Sequence, residues 1–394
     1  HRLYNRDLMA ALHLKAWRAG SMDSAVFELL KAKDPEVRAV AAADATTWTI
    51  TGCDMGIPYA VRGLEDSNPV VRSYCYRYLR TRNAPEALSY GFQDIASDPD
   101  ETVRRNAILY VAQLCRPDAP RDDLAQKAYS SFTKAFRQDP AEGPRCVAAR
   151  MLRHFDSKQH REEIVQMLKE QGRKYERSGG QNPYLLRACG KTLAELGEVE
   201  GIDFLITSLE FPSIDAFYNY NYNVPNFISA YCGYDLPEGK RYQLSNWRKW
   251  FDANRDKIDV AKNAALYNAY REVEPALRGM DSEQRIIALE HFLEEHPGYL
   301  FAVRRLAREL NSVAWNMVTA PKDSERYDPV KGLAYAKRCC ELQPLANYLD
   351  TLAEAYEANG MIAKAREVCK KALQEFPDNK MFTKRLKKYE QAQD

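Results

Sequence analysis

Between residues 34 and 190 the chain writes nearly the same phrase five times. The copies are DPEVRAVAA from Asp34, NPVVRSYCY from Asn68, DPDETVRRNAI from Asp98, DPAEGPRCVAA from Asp139 and NPYLLRACG from Asn182. Their arginines, Arg38, Arg72, Arg104, Arg145 and Arg187, are spaced by 34, 32, 41 and 42 residues. In four of the copies an Asp or Asn before Pro predicts a helix start: the side chain accepts orphan N–H groups, and Pro suits a first turn that needs no donor. The third is less regular, because Asp100 also suits the cap. Small residues follow each arginine (Ala41 and Ala42, Cys75, Ala107, Ala148 and Ala149, Ala188) and let neighbouring helices approach closely. Second apolar helices are expected in IPYAVRGLED, PEALSYGFQDIAS and EGIDFLITSLEF. A helix pair of this size cannot bury its own apolar face, so the units must stack.

The pattern resembles HEAT repeats, in particular the short HEAT-like repeats of bacterial proteins with an Asp-Pro-x-Val-Arg signature. The resemblance covers about residues 20 to 212 and fades in the last two units, where Pro144 and Leu186 replace the Val. It implies that Arg38, Arg72 and Arg104, and with weaker motifs Arg145 and Arg187, bridge to an acidic residue of an adjacent repeat. These arginines are then scaffold rather than ligand contacts.

Near the C-terminus the period changes. In ANYLDTLAEAYEANGMIAKAREVCKKALQEFPDN, Leu352, Ala353, Tyr356, Ala365, Ala372 and Pro377 fall at the spacing of a 34-residue helix hairpin, with Cys369 in a usually aromatic slot. This resembles a tetratricopeptide repeat (TPR). A preceding unit, carried by Asn311, Ala314, Trp315, Ala336 and Pro344, has a longer loop from Pro321 to Pro329. QRIIALEHFLEEHPGY resembles the second helix of a weaker, earlier unit, and MFTKRLKKYEQAQD reads as a polar closing helix. In such repeats the groove is lined by the first helix of each hairpin. Mapped here, that face holds Asn316, Asn347, Asp350, Glu354 and Glu357, an acidic and amide-bearing set that implies a basic or neutral partner segment.

The expected organisation is therefore an all-α α-solenoid: HEAT-like repeats over 1–212, a Tyr- and Trp-rich junction over 213–259, and TPR-like repeats over 260–394. In the junction, DAFYNYNYNVPNF (Asp215 to Phe227) has no helical period. Tyr218, Tyr220 and Tyr222 belong either to an irregular connector or to a contact surface, since tyrosine-rich loops bind at low entropic cost. Trp247, Trp250 and Phe251 share one face of a short helix that Ser245 is placed to cap. That face is expected to cover the last helix of the first array.

Composition narrows the function. Lys+Arg 57 against Asp+Glu 55 leaves a formal charge of +2, which argues against a protein whose main task is gripping phosphates. The rival reading, nucleic-acid binding through Arg72, Arg77, Arg80 and Arg82, rests on RSYCYRYLRTR. A mean hydropathy of -0.56 without a long uncharged apolar run predicts no transmembrane helix. Nine cysteines, with no Cys-x-x-Cys, suit reduced thiols and a cytoplasmic setting; the absence of an initiator Met leaves an exported protein as the alternative. None of the six histidines precedes a Glu, and His154 and His160 are separated by the helix-breaking FDSKQH, so no metal site is expected. No P-loop, Gly-x-Gly-x-x-Gly or Gly-x-Ser-x-Gly occurs. The expectation is a non-catalytic scaffold for protein partners, with no cofactor and no small-molecule substrate.

Overall fold

The computed structural model describes residues 29–47, 56–115, 122–157, 159–177, 183–210, 220–236, 240 and 243–391. Every regular element among them is helical, and the fold is an α-solenoid. The chain divides into two compact units, residues up to 228 together with 236–261, and residues 229–235 together with 262–394.

In the first unit the helices are α1 (Pro35–Thr47), α2 (Ile57–Gly63), α3 (Pro69–Thr81), α4 (Leu88–Ser97), α5 (Glu101–Leu114), α6 (Asp122–Gln138), α7 (Glu142–Leu152), α8 (Arg161–Arg177), α9 (Tyr184–Glu195) and α10 (Val199–Thr207). The odd-numbered helices pack in series, and α2, α4, α6 and α10 pack on their hairpin partners. Ala41, Ala42, Cys75, Ala107, Ala148 and Ala149 are fully buried along that series. Small side chains bring helix axes close, and the apolar faces of neighbours then cover one another. Helices α9 and α10 approach closely: a Cβ on Gly201 would strike the Ala194 amide and the Gly190 carbonyl.

The arginines of the repeated phrase lock these layers together. Arg38 Nε and Nη2 bind Asp66 at 2.6 and 2.9 Å, Arg72 binds Asp98 at 2.9 and 2.9 Å, and Arg104 binds Asp139 at 2.7 and 2.8 Å. In each case Nη1 donates to a carbonyl six residues earlier in its own unit, Ala32, Asp66 or Asp98, at 2.8 Å. Asp66 and Asp98 thus work twice: the carboxylate holds one arginine and the carbonyl holds the next. Burial works to raise the Asp66 carboxyl, but Arg38, the Asn68 N–H and Arg72 outweigh it and hold it below its ordinary 3.8. In the later units the arginines meet neutral groups. Arg145 reaches the Gln171 amide oxygen at 2.8 Å, and Arg187 donates to Ser208 Oγ and O at 3.3 and 3.1 Å.

The register of the phrase needs one correction. Asp34 and Asn68 do cap their helices, accepting from Glu36 N and Val70 N at 2.9 Å. The third cap is Asp100, which takes Thr102 N and Val103 N, and the fourth is Ala141 rather than Asp139. Asp98 and Asp139 sit two residues before their caps and accept the N–H of Asp100 and Ala141 at 2.8 Å. Their Asp-Pro dipeptides therefore correspond to Asp66-Ser67 in the second unit, not to Asp34-Pro35. Counted from the true cap, all four arginines stand four residues in. Asn182 lies outside the described residues.

The first unit closes with α11 (Tyr220–Cys232), whose last residues belong to the second unit, and α12 (Leu244–Asn254). Helix α12, whose Trp247 is fully buried, packs on α10, with Arg248 paired to Asp203 and donating to Thr207 Oγ1 at 2.8 Å. Trp250 is half-buried, edge-on to Trp247 at 6.2 Å. Ser245 is not the cap: Gln243 precedes the helix, and Ser245 is its second, exposed residue.

The second unit continues with α13 (Val260–Leu277), α14 (Ser282–Glu295), α15 (Leu300–Thr319), α16 (Pro329–Leu342), α17 (Ala346–Ala358), α18 (Ile362–Glu375) and α19 (Lys380–Gln391). Successive helices from α14 to α19 pack on one another, and α15 also lies against α17. Asp281 and Gln284 form a capping box that starts α14, and Asp328 caps α16 by accepting from Lys331 N at 2.9 Å. Arg285 repeats the device of the first unit, binding Glu309 on α15 at 3.0 Å and its own Met280 carbonyl at 2.6 Å. The α17–α18 turn uses Gly360 at φ 73°, a conformation open to glycine. Ala353, Ala365, Cys369 and Ala372 are fully buried where the two helices touch. The Cys369 thiol is pushed up to about 11, chiefly by burial, so it is a space-filler here and not a nucleophile.

Candidate functional site

The acidic row expected on α17 is built by helical spacing. Asp350, Glu354 and Glu357 lie four and three residues apart, so they share a face. The final helix faces them. Helix α19 starts with Asn379 accepting from Met381 N at 3.0 Å, and it seats Phe382 and Tyr389, 0% and 1% exposed, against Ala353, Ala365 and Ala372. Those anchors carry Arg385 over the row. Its guanidinium pairs with Asp350, donates to Glu354 Oε2 at 2.6 Å and lies 3.8 Å from Glu357. Lys388 pairs with Glu357, and the Tyr389 hydroxyl donates to the same carboxylate at 2.9 Å.

The electrostatics follow from that geometry. Burial works against the charged Arg385, yet its hydrogen bonds to Asp350 and Glu354 outweigh it and strengthen its hold on the proton. Burial alone would raise Glu357; Lys388, Tyr389 and Arg385 reverse the sign and hold it below its ordinary 4.5. The acidic face is thus not an open groove waiting for a basic segment. A cationic helix of the same chain already covers it, and Asp350 is buried. Asn316 on α15 and Asn347 at the start of α17 remain exposed. The sequence held a signal for this in α19 itself: Phe382, Leu386 and Tyr389 form an apolar line that Arg385 and Lys388 flank.

The other candidate residues are distributed differently from expectation. Arg72 is inside the inter-repeat series and is not available to an outer basic face. Arg77 and Arg82 lie over the rings of Tyr74 and Tyr78 at 5.0 and 5.3 Å, and burial lowers the hold of Arg80 on its proton, with Arg77 adding to the effect. The four arginines therefore do not form one open strip. Tyr220 and Tyr222 are helical, within α11, rather than parts of an irregular connector; Tyr218 lies outside the described residues. The alternation of Tyr and Asn hid that helix, which runs on through Pro225 into the apolar FISAYC.

A concavity of 330 Å³ lies where α6 meets the turn between α7 and α8, lined among others by Tyr129, His154, Asp156 and His160. The expected break separates the two histidines: α7 ends at Leu152 and α8 starts at Arg161. His160 stacks on Tyr129 at 4.0 Å with its Nε2 3.2 Å from Gln126 Oε1, and Asp156 pairs with Arg161 at 2.6 Å. Among the described residues no group of His, Cys, Asp and Glu is arranged to hold a metal ion. Nor is any described helix long and apolar enough to cross a membrane.

Residues 346–388, which span α17, α18 and most of α19, match the family model of the tetratricopeptide repeat. No curated protein matches the chain. Among solved structures it is similar to an engineered protein from the Northeast Structural Genomics Consortium, at 12% identity over 93% of this chain and 97% of that one, with a TM-score of 0.32. It is also similar to the P58(IPK) TPR domain, at 14% identity over 90% and 98%, with a TM-score of 0.25. Superpositions this loose add nothing to the helical fold already described. The family match falls on the stretch where the acidic row meets its cationic cover, and the chain is a helical-repeat protein that contains a tetratricopeptide repeat.

Proposed function

We propose that this chain is a non-catalytic scaffold for protein partners, a HEAT-like array of the bacterial Asp-Pro-x-Val-Arg type followed by TPR-like hairpins. Its ligand class is a cationic amphipathic helix recognised on the first helix of the last hairpin. One observation carries the reading: Asp350, Glu354 and Glu357 already hold such a helix in cis, through Arg385, Lys388 and Tyr389. Charged pairs give such a contact its register, while the apolar anchors give it most of its strength. A partner helix with the same spacing of anchors and cations competes with α19 for this face, and the exposed Asn316 and Asn347 extend the surface it meets.

The test uses a labelled peptide of residues 378–394. It is expected to bind a chain ending at Asn379, to bind the full chain far more weakly, and to be lost when Glu354→Gln and Glu357→Gln are introduced. Circular dichroism confirms that the shortened chain is folded. No binding to a folded shortened chain overturns the reading.

A further inference from the structure

Near-neutral net charge conceals a polar distribution within the second unit. Residues 272–295 carry seven carboxylates against two arginines, whereas 364–388 carry nine cations against three carboxylates. Both excesses reach the surface as lines at helical pitch. On α14, Glu283, Ile287, Glu290 and Glu294 form one exposed line; Glu283 pairs with Lys331 on α16. Ile287 is 68% exposed, and Val330, beside Lys331, is 73% exposed. On α19, the exposed line is Lys380, Lys384 and Lys387, on the side away from the α17 carboxylates. Among the described residues, neither Glu290 and Glu294 nor these three lysines have an ion-pair partner, although their neighbours Glu283, Arg385 and Lys388 do.

We propose that the acidic line of α14 docks the lysine line of α19 from a second copy of this chain. The charges are opposite, and the four- and three-residue steps match: Glu290 to Glu294 is four, Lys380 to Lys384 to Lys387 is four and three. Within one copy the lines cannot meet, because α15 to α18 pack in order between the helices that bear them. The contact joins two different surfaces, so it is heterologous and builds chains or rings rather than an isologous pair. Ile287 and Val330 supply the apolar centre of the acidic side, and the flanking charges set register and give strong salt dependence. This inference is independent of the α17 site, whose carboxylates and cations it does not use.

Sedimentation of the full chain at rising concentration tests it. At low salt the weight-average mass is expected to climb above the monomer's 45.2 kDa, and at molar salt to return to it. The variants Glu290→Lys with Glu294→Lys, and Lys384→Glu with Lys387→Glu, are each expected to remain monomeric alone and to associate when mixed. A chain monomeric at every concentration in low salt overturns the proposal, and so does association that persists in either variant alone. Both variants alter only exposed side chains, and unchanged circular dichroism identifies any that fail to fold.

Discussion

Arg104 shows why one residue type recurs at one place in every repeat of the first unit. Its guanidinium makes four hydrogen bonds, two to the Asp139 carboxylate and one each to the carbonyls of Asp98 and Pro99, and its side chain is 8% exposed. Only a planar fork serves an acid on one side and a turn of its own backbone on the other. Truncation by Arg104→Ala leaves a buried carboxylate and two carbonyls without their partner. The expected loss is about 3 kcal/mol in urea unfolding, the range for breaking a buried pair from one side. Arg104→Lys keeps the charge but not the fork, and is expected to recover only part of that loss. A bridge from an arginine to an acid of an adjacent unit is what the resemblance to HEAT-like repeats implies. Which acid it is does not follow from it, because the dipeptide Asp-Pro has two jobs: Asp34 caps a helix, while Asp98 precedes its cap by two residues and receives the preceding arginine.

At the scale of the element, α19 is the segment whose role changes most between reading and structure. As sequence it is a polar helix that closes the array. In the fold it is an amphipathic helix with a mixed inner face, Phe382 and Tyr389 for burial and Arg385 for charge. Its seating is expected to depend on pH in a definite direction. The folded-state value of Glu357 is held below its ordinary 4.5, so the free carboxylate binds protons more readily than the seated one. The stabilisation is complete above the ordinary value and is lost as pH falls through the lowered one. The protection of α19 amides against hydrogen exchange, measured relative to their intrinsic rates, is expected to fall below about pH 4, ahead of the rest of the second unit. Arg385→Ala should bring that loss of protection to neutral pH while protection in α14 and α15 stays unchanged. Equal protection of α19 in the variant and the parent at pH 7 would show that its apolar anchors alone hold it.

For the whole molecule, the balance of 57 basic against 55 acidic side chains says less than their placement. In the first unit, many cations are internal: Arg38, Arg72 and Arg104 are consumed between repeats, and Arg153 pairs with Glu195 at 2.6 Å. The face that carries Arg77 and Arg82 is therefore expected to add nothing to binding of random duplex DNA at physiological salt, so any mobility shift with micromolar protein is unchanged in Arg77→Glu with Arg82→Glu. Retardation that weakens steeply with salt, and is lost in Arg77→Glu with Arg82→Glu, would restore the nucleic-acid reading. What the sequence determined by itself was the helical-repeat architecture, because caps, small contact residues and apolar periodicity are local and each repeat writes them again. Only the tertiary structure decided which charges are still available, because Asp350 meets Arg385 across 35 residues of chain and no local pattern reports that distance.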